Sequence, residues 1–432
     1  MFKYLEQIWN SKDLRRKILF TLLILVVFRA LGQITIPGAN VAALQVIFQK
    51  NQLLGMFSLL TGGSAENFSI MLMGLSPYIN ASIIMQLLTV IVPKLENLSK
   101  EGQQGQRTIN KYTRWLTLPL AFIQSYGMIL LLNSQSPVPI LENINNLSVI
   151  LPVMLTVTTG TLLLMWMSEL ITENGIGNGS SIIIFAGIIA NIPGIIGQSL
   201  ALTQQSSEAL IPFVVMILVT LVLTVLVILI TEAERKIPVT YAGRSIHGSG
   251  NHSSLPIRIN QAGMVPIIFA VSITTFPGII AQFLQNSTQE WLRNIAGFIN
   301  AYFQTNSLPY LIIYFLLVIA FTFFYVSITF NPNQVAENIQ KQGGYIPGIR
   351  PGKQTAEHLG KISNRLNLFG GLFIGFIAIS PIILQTISSR LNFGSIPTLI
   401  SGAGLIIIVG VVLEIIRQIN AQLVMHDYNK LY

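Results

Sequence analysis

The sequence predicts an all-α membrane protein: ten transmembrane helices arranged as two inverted halves of five. Three observations carry this expectation. Hydrophobic residues fill 52% of the 432 positions and charged residues only 9%, where soluble domains carry roughly 25% charged residues; the mean hydropathy is +0.65. Ten apolar stretches are long enough to cross about 30 Å of hydrocarbon, near 18–36, 68–92, 115–133, 149–170, 181–199, 210–231, 263–283, 309–330, 367–385 and 395–415. Finally, the basic residues sit in alternate connections. Five precede residue 18, five fall in 93–114, four in 232–262, five in 331–366 and two after 415, which leaves Arg29, Lys50, Arg293 and Arg390 elsewhere among 25. By the positive-inside rule both termini and the long basic loops are cytoplasmic. Five spans per half, an odd number, turn the second half upside down relative to the first, as in inverted-repeat transport folds. No residue-level repeat links 1–200 to 201–432, so the inversion rests on the count alone.

Taken in order, residues 1–17 set Phe2, Leu5, Ile8 and Trp9 against Lys3, Lys12, Arg15 and Arg16, the pattern of a short amphipathic helix on the inner membrane surface. This polar start lacks the short apolar core and small-residue cleavage site of a removable signal. Spans one to five form an N-terminal half over 18–199. Between the first two spans, 51–67 is half apolar, too short to cross, and interrupted by Gly62 and Gly63. It either lies flat at the interface or folds back inward, and non-helical backbone is tolerated at membrane depth only inside protein or a watery cavity. Spans six to ten form a C-terminal half over 200–415. It carries the two longest hydrophilic loops, 232–262 and 331–366, and is followed by a cytoplasmic tail, 416–432. Within the second loop, 343–353 reads Gly-Gly-Tyr-Ile-Pro-Gly-Ile-Arg-Pro-Gly-Lys. Pro347 and Pro351 fix φ while Gly348 and Gly352 permit tight turns, so Arg350 is held on a stiff tip suited to docking something in the aqueous phase.

The same residues exclude several chemistries. Intramembrane catalysis or proton coupling needs ionisable groups in the spans, and only Arg29 lies well inside one; Glu169, Glu232 and Glu414 stand at cytoplasmic span ends. His247, His252, His358 and His426 all fall in cytoplasmic loops or the tail, and there is no cysteine. No zinc-protease, paired nucleophile–base or phosphate-loop signature occurs, so neither a catalytic residue, a metal nor a cofactor is expected. The spans do show isoleucine at helical spacing, with Ile79 and Ile83 in the second and Ile184 and Ile188 in the fifth, plus single positions Ile268 and Ile407. Such stiff β-branched side chains could line a dewetting constriction or simply face lipid and neighbouring helices.

Four blocks resemble the SecY family of translocase channels, in family order and across nearly the whole chain: 74–93 (Gly-Leu-Ser-Pro-Tyr-Ile-Asn-Ala-Ser-Ile-Ile-Met-Gln-Leu-Leu-Thr-Val-Ile-Val-Pro), 175–187 (Gly-Ile-Gly-Asn-Gly-Ser-Ser-Ile-Ile-Ile-Phe-Ala-Gly), 261–270 (Gln-Ala-Gly-Met-Val-Pro-Ile-Ile-Phe-Ala) and 347–356 (Pro-Gly-Ile-Arg-Pro-Gly-Lys-Gln-Thr-Ala). The resemblance implies a clamshell around a central hourglass pore, closed by an apolar ring of Ile79, Ile83, Ile184, Ile188, Ile268 and Ile407. It implies a re-entrant plug helix over 53–67, with Leu53, Leu54, Met56, Phe57, Leu59, Leu60, Gly62 and Gly63, and a lateral gate of spans two and three against seven and eight. The ribosome, through its RNA, and the motor SecA would dock on Arg350, Lys353, Arg235, Lys236, Arg244 and Arg258, although 248–254 (Gly-Ser-Gly-Asn-His-Ser-Ser) replaces the more basic loop tip common in the family. Implied partners are SecE as a brace, a SecG-like subunit, a YidC-type insertase, anionic lipids, and substrate polypeptides bearing signal sequences. The implied function is a passive protein-conducting channel that also releases membrane helices sideways into lipid, driven by SecA, translation or membrane potential. A plasma membrane is the default location, while the many Asn and Gln residues also suit a thylakoid. The rivals, a ten-span solute carrier and a membrane-embedded hydrolase, lack respectively a use for the arginine-tipped hairpin and a nucleophile–base pair.

Overall fold

The computed structural model describes residues 8–9, 11–41, 43–44, 48, 61, 63–135, 138–141, 144, 146–205, 210–241, 253–285, 289–302, 307–390 and 400–430. The first half contains α1 (Lys12–Leu31), α2 (Ser76–Ile91), α3 (Pro93–Lys100), α4 (Gln103–Gln135), α5 (Leu147–Asn174) and α6 (Gly179–Gln205). The second half follows with α7 (Leu210–Glu232), β1 (Glu234–Tyr241), β2 (Ser253–Arg258), α8 (Val265–Gln285), α9 (Glu290–Tyr302), α10 (Leu308–Thr329), α11 (Pro332–Lys341), β3 (Gly344–Tyr345), α12 (Lys353–Arg390) and α13 (Gly402–Lys430).

Local chemistry sets many of these boundaries. Asn146 caps α5 by accepting from Ser148 N at 3.3 Å, Ser307 caps α10 by accepting from Tyr310 N at 3.3 Å, and Asn331 caps α11 just ahead of Pro332. Val92 takes an extended conformation before Pro93, and α3 departs from α2 at 100°. Every apolar stretch in the sequence falls on a helix, yet the extents differ. Residues 68–75, apolar enough to read as part of the second span, form consecutive turns, and α2 starts only at Ser76. Gly74 at φ 54° breaks the chain there and Pro77 opens the helix. In contrast, α4 and α12 begin 12 and 14 residues before their apolar stretches, because polar residues end hydropathy without ending a helix. Among the described residues, seven helices (α4, α5, α6, α7, α10, α12 and α13) are long and apolar enough to cross a membrane, eight if bent α2–α3 is one span. The charged first turns of α1 keep it below that measure, and α8 contributes only a short apolar run, Val265–Thr274.

The packing displays the inverted repeat that the residues do not. Within the first half, α2 packs on α4, α4 on α5, α5 on α6, and α1 on both α5 and α6; the short α3 bridges α2 and α4. The second half repeats each of these: α8 on α10, α10 on α12, α12 on α13, α7 on both α12 and α13, with α9 bridging α8 and α10. The halves meet along two seams, α2 and α4 against α8, and α6 against α13.

Close approach at the core needs glycine. A Cβ on Gly160 of α5 would stand 1.9 Å from the Ile70 carbonyl oxygen, whereas one on Gly197 of α6 would meet nothing within 4 Å. Gly160→Ala must therefore push α5 off the buried turns and lower stability by about 1–3 kcal/mol or more. Gly197→Ala should instead gain about 0.5–1 kcal/mol from helix propensity. Thermal unfolding of the two variants in detergent, run beside the parent chain, checks both signs.

Candidate functional site

Four helices contribute to one buried apolar cluster. α2 supplies Ile79 and Ile83, α6 supplies Ile184 and Ile188, α8 supplies Ile268 and α13 supplies Ile407; all six are buried and share one apolar cluster. The spacing of four places each α2 and α6 pair on one helix face. α13 and α6 are close here: a Cβ on Gly404 would lie in ordinary contact, 3.5 Å, with Ile188 Cγ2. The cluster also holds Met71 and Leu75 from the turns before α2, and Met264 and Ile267 at the start of α8. None of these four is among the predicted ring residues, although Leu75, Met264 and Ile267 lie in the blocks that resemble the family.

Beside this cluster runs irregular backbone. The expected plug residues Leu53, Leu54, Met56, Phe57, Leu59, Leu60 and Gly62 lie outside the described residues. Gly63 is described, at φ 79°, and a Cβ on it would stand 2.9 Å from Asn191 Oδ1 of α6. Thr61, Ser64 and Ala65 are all buried. From Gly63 to Leu75 the chain satisfies its own polar groups: Ser69 N donates to Ser64 O, Met71 N to Ser69 Oγ, and Gly74 N to Met71 O. A two-residue bridge ties it to the end of α1, with Ile36 N donating to Phe68 O at 3.0 Å and Ile70 N to Ile34 O at 3.1 Å. Phe68 is fully buried with φ at 45°, a conformation costing a non-glycine residue about 1 kcal/mol or more.

The seam of α2 and α4 against α8 joins the halves through apolar side chains of the central cluster, among them Ile79, Ile83 and Ile268. Behind it, between α2 and α4, Asn80 Nδ2 reaches Gln124 Oε1 at only 3.5 Å, and Asn80 Oδ1, Gln124 Nε2 and Gln86 Oε1 are buried without partners. Buried amides left short of hydrogen bonds cost about 1–3 kcal/mol each, so this wall is less tightly held than an all-apolar one. The other seam carries a polar tie at the α5–α6 turn, where Gly177 N donates to Gln418 Oε1 of α13 at 2.7 Å; within the first half, Ile176 N donates to Thr21 Oγ1 of α1 at 3.2 Å.

The two long loops of the second half are one structure. β1 pairs antiparallel with β2, Arg235 opposite Ile257 and Ile237 opposite Leu255, and β3 adds to the other edge of β1, giving the order β2-β1-β3. Ile237, Val239 and Ile257 from the sheet, Ile339 of α11, Ile346 of the hairpin, and Leu359 and Ile362 of α12 form a separate buried core. Ile349 N donates to Ile346 O across Pro347-Gly348, with Gly348 at φ 81°, and Gly352 follows Pro351 at φ 93°. These are turns with proline and glycine in the positions that suit them. Thr355 Oγ1 donates to Arg350 O at 3.0 Å and fixes the tip. Arg350, Lys353, Arg235, Lys236 and Arg258 are all exposed on this platform, and among the described residues no carboxylate pairs with Arg350. Arg244 and most of 248–254 lie outside the described residues. Lys353 is the first residue of α12, where the helix dipole disfavours a cation, so helix stability does not account for it. On α11, Lys341 hydrogen-bonds Glu337 at 2.9 Å and holds that carboxyl below its usual range.

The SecY family profile matches residues 69–416. Among curated proteins, the chain is 40% identical over 436 residues to the protein translocase subunit SecY of Streptomyces scabiei, covering 97% of each. It is 40% identical over 443 residues to that of Bacillus subtilis, covering 99% of each. Among solved structures it is similar to a protein conducting channel with a TM-score of 0.64 at 19% identity, over 94% of this chain and 92% of the other. It is also similar to a structure bearing on the plug domain of the SecY protein, with a TM-score of 0.62 at 19% identity and the same coverage.

The platform core makes its own prediction. Leu359→Ala removes a fully buried side chain and should cost the platform about 2–5 kcal/mol. Backbone hydrogen exchange should accelerate across 234–241, 253–258 and 344–349 together while the membrane helices keep their protection.

Proposed function

The chain belongs to the SecY family, and on that premise we propose how this protein translocase subunit works: as a gated pore closed by Ile79, Ile83, Ile184, Ile188, Ile268 and Ile407. The observation that carries the reading is the convergence of these six side chains, from both halves, in one buried apolar cluster where the halves meet. A narrow β-branched constriction expels water and so resists ions, yet it binds no passing segment tightly. The protein is a multi-pass membrane protein and a non-catalytic channel subunit. Its passenger crosses as an extended polypeptide, and an apolar signal segment or membrane helix leaves sideways where α2 and α4 separate from α8 and α10. Residues 53–67 serve as the plug. The burial of Thr61, Ser64 and Ala65 and the closeness of Gly63 to Asn191 support an inward-folded course for that stretch.

Energy comes from outside the chain. SecA or a translating ribosome engages the platform at Arg350 and Lys353, assisted by Arg235, Lys236, Arg244 and Arg258, whose charges suit ribosomal RNA and acidic protein patches alike. SecE braces the two halves, and a SecG-like subunit and a YidC-type insertase join the assembly. The basic loops and both termini face the cytoplasm or stroma, in a plasma membrane by default and a thylakoid as the alternative, with anionic lipids at the basic surface.

Transport of a secretory precursor into proteoliposomes holding this chain, SecE, SecA and ATP tests the reading. Arg350→Glu should reduce SecA-driven transport at least about tenfold, since reversing a paired interface charge commonly costs several kcal/mol. Full transport by that variant would remove Arg350 from docking and leave the pore intact. Separately, Ile184→Asn combined with Ile268→Asn should raise the ion conductance of the resting channel several-fold. Unchanged conductance would place the constriction elsewhere.

A further inference from the structure

Helix α9 links α8 to α10 on the membrane face opposite the sheet platform, and its surface is divided three ways. Ala296 is fully buried, with Leu292 and Ile299 half-buried beside it, on the flank where α9 packs against α8. Arg293, Asn294 and Gly297 are exposed on the far flank. Between them Trp291, Ile295, Phe298 and Tyr302, spaced four, three and four residues apart, form one helical face. These four large side chains are 59%, 41%, 62% and 44% exposed. The Phe298 and Tyr302 rings lie 4.4 Å apart, and Trp291 Nε1 donates to Gln289 Oε1 at 2.8 Å. No protein element covers this face among the described residues.

We infer that α9 lies in the interfacial layer of the bilayer, its aromatic face in lipid and its Arg293–Asn294 flank in water. Its height leaves little choice, because it is held between the ends of two membrane-embedded helices. The helices it joins also expose large apolar side chains, Leu308, Ile312 and Leu316 on α10 and Ile280 on α8, surface that faces hydrocarbon in a membrane protein. A tryptophan and a tyrosine whose apolar rings end in polar atoms are the residues that settle at such a boundary, and a strongly amphipathic helix with few charges lies in its plane. A lipid surface is therefore the occupant, and it ties α8 to the bilayer. The bearing of this tie on the gate rests on the reading proposed above; the lipid contact itself does not.

The chain contains no cysteine, so single cysteines can be introduced without background. Ile295→Cys, Phe298→Cys, Arg293→Cys and Asn294→Cys, each in the full chain, are spin-labelled and reconstituted in phosphatidylcholine–phosphatidylglycerol vesicles. Collision rates with oxygen, which partitions into lipid, and with a water-soluble nickel chelate are then compared. Labels at 295 and 298 should show an oxygen-to-nickel ratio at least about threefold above labels at 293 and 294, as expected for burial some 5–10 Å into the boundary. Equal ratios on the two faces would put α9 in water, and suppressed collisions with both reagents at 295 and 298 would put protein over it. Either result overturns the inference. The measurement needs no transport, so it succeeds or fails independently of the channel reading.

Discussion

In hydrocarbon no water is present to complete the hydrogen bonds of a broken helix, and this constraint organises the molecule. Thirteen consecutive residues, Gly63 to Leu75, are non-helical yet largely buried. They persist because they satisfy one another, through the Ser64 carbonyl, the Ser69 hydroxyl and the bridge to Ile34 and Ile36, and because helices wall them off from lipid. That walling demands backbone contact, which explains Gly160 against Ile70. The same device recurs where a Cβ on Gly179 would stand 1.8 Å from Ser168 O and one on Gly402 2.1 Å from Ile377 O. Small residues that let backbones touch are the usual substitute for hydrophobic force between membrane helices.

The second organising fact is duplication without sequence memory. The pairing pattern of α1–α6 recurs in α7–α13 down to the short helices, with α3 between α2 and α4 and α9 between α8 and α10. Packing can be preserved while side chains drift, because a membrane helix needs only apolar bulk of roughly the right size at each contact. What has diverged is the aqueous elaboration. Among the described residues, the sheet and the core beneath it lie in the second half.

Much of this was legible in the sequence, and the gaps have physical causes. Helix positions followed from apolar length. The sheet was missed because Ile237, Val239 and Tyr241 alternate with polar residues over too few positions to stand out from a basic loop. Helix α9 escaped because its apolar residues wind around a short amphipathic segment rather than filling a window. Residues 68–75 were overextended as helix since hydropathy ignores what Gly74 and Pro77 do to backbone. The proposed ring rests on family resemblance: Ile182, Ile183 and Ile184 are consecutive and all buried, so neither abundance nor burial singles out Ile184.

One feature of the second half has mechanical meaning. Helix α12 is 38 residues long, about 57 Å at 1.5 Å per residue. Its first turns, through Leu359 and Ile362, belong to the platform core, and its remainder, through Ile374 and Ile377, belongs to the central cluster. It is thus a shaft with a handle at one end and a bearing surface at the other. Because densely packed cores transmit displacement rather than absorb it, a push on the hairpin would be carried down this one helix to the central cluster. The α5–α6 turn is tethered to Gln418 of α13, the helix against which α12 packs.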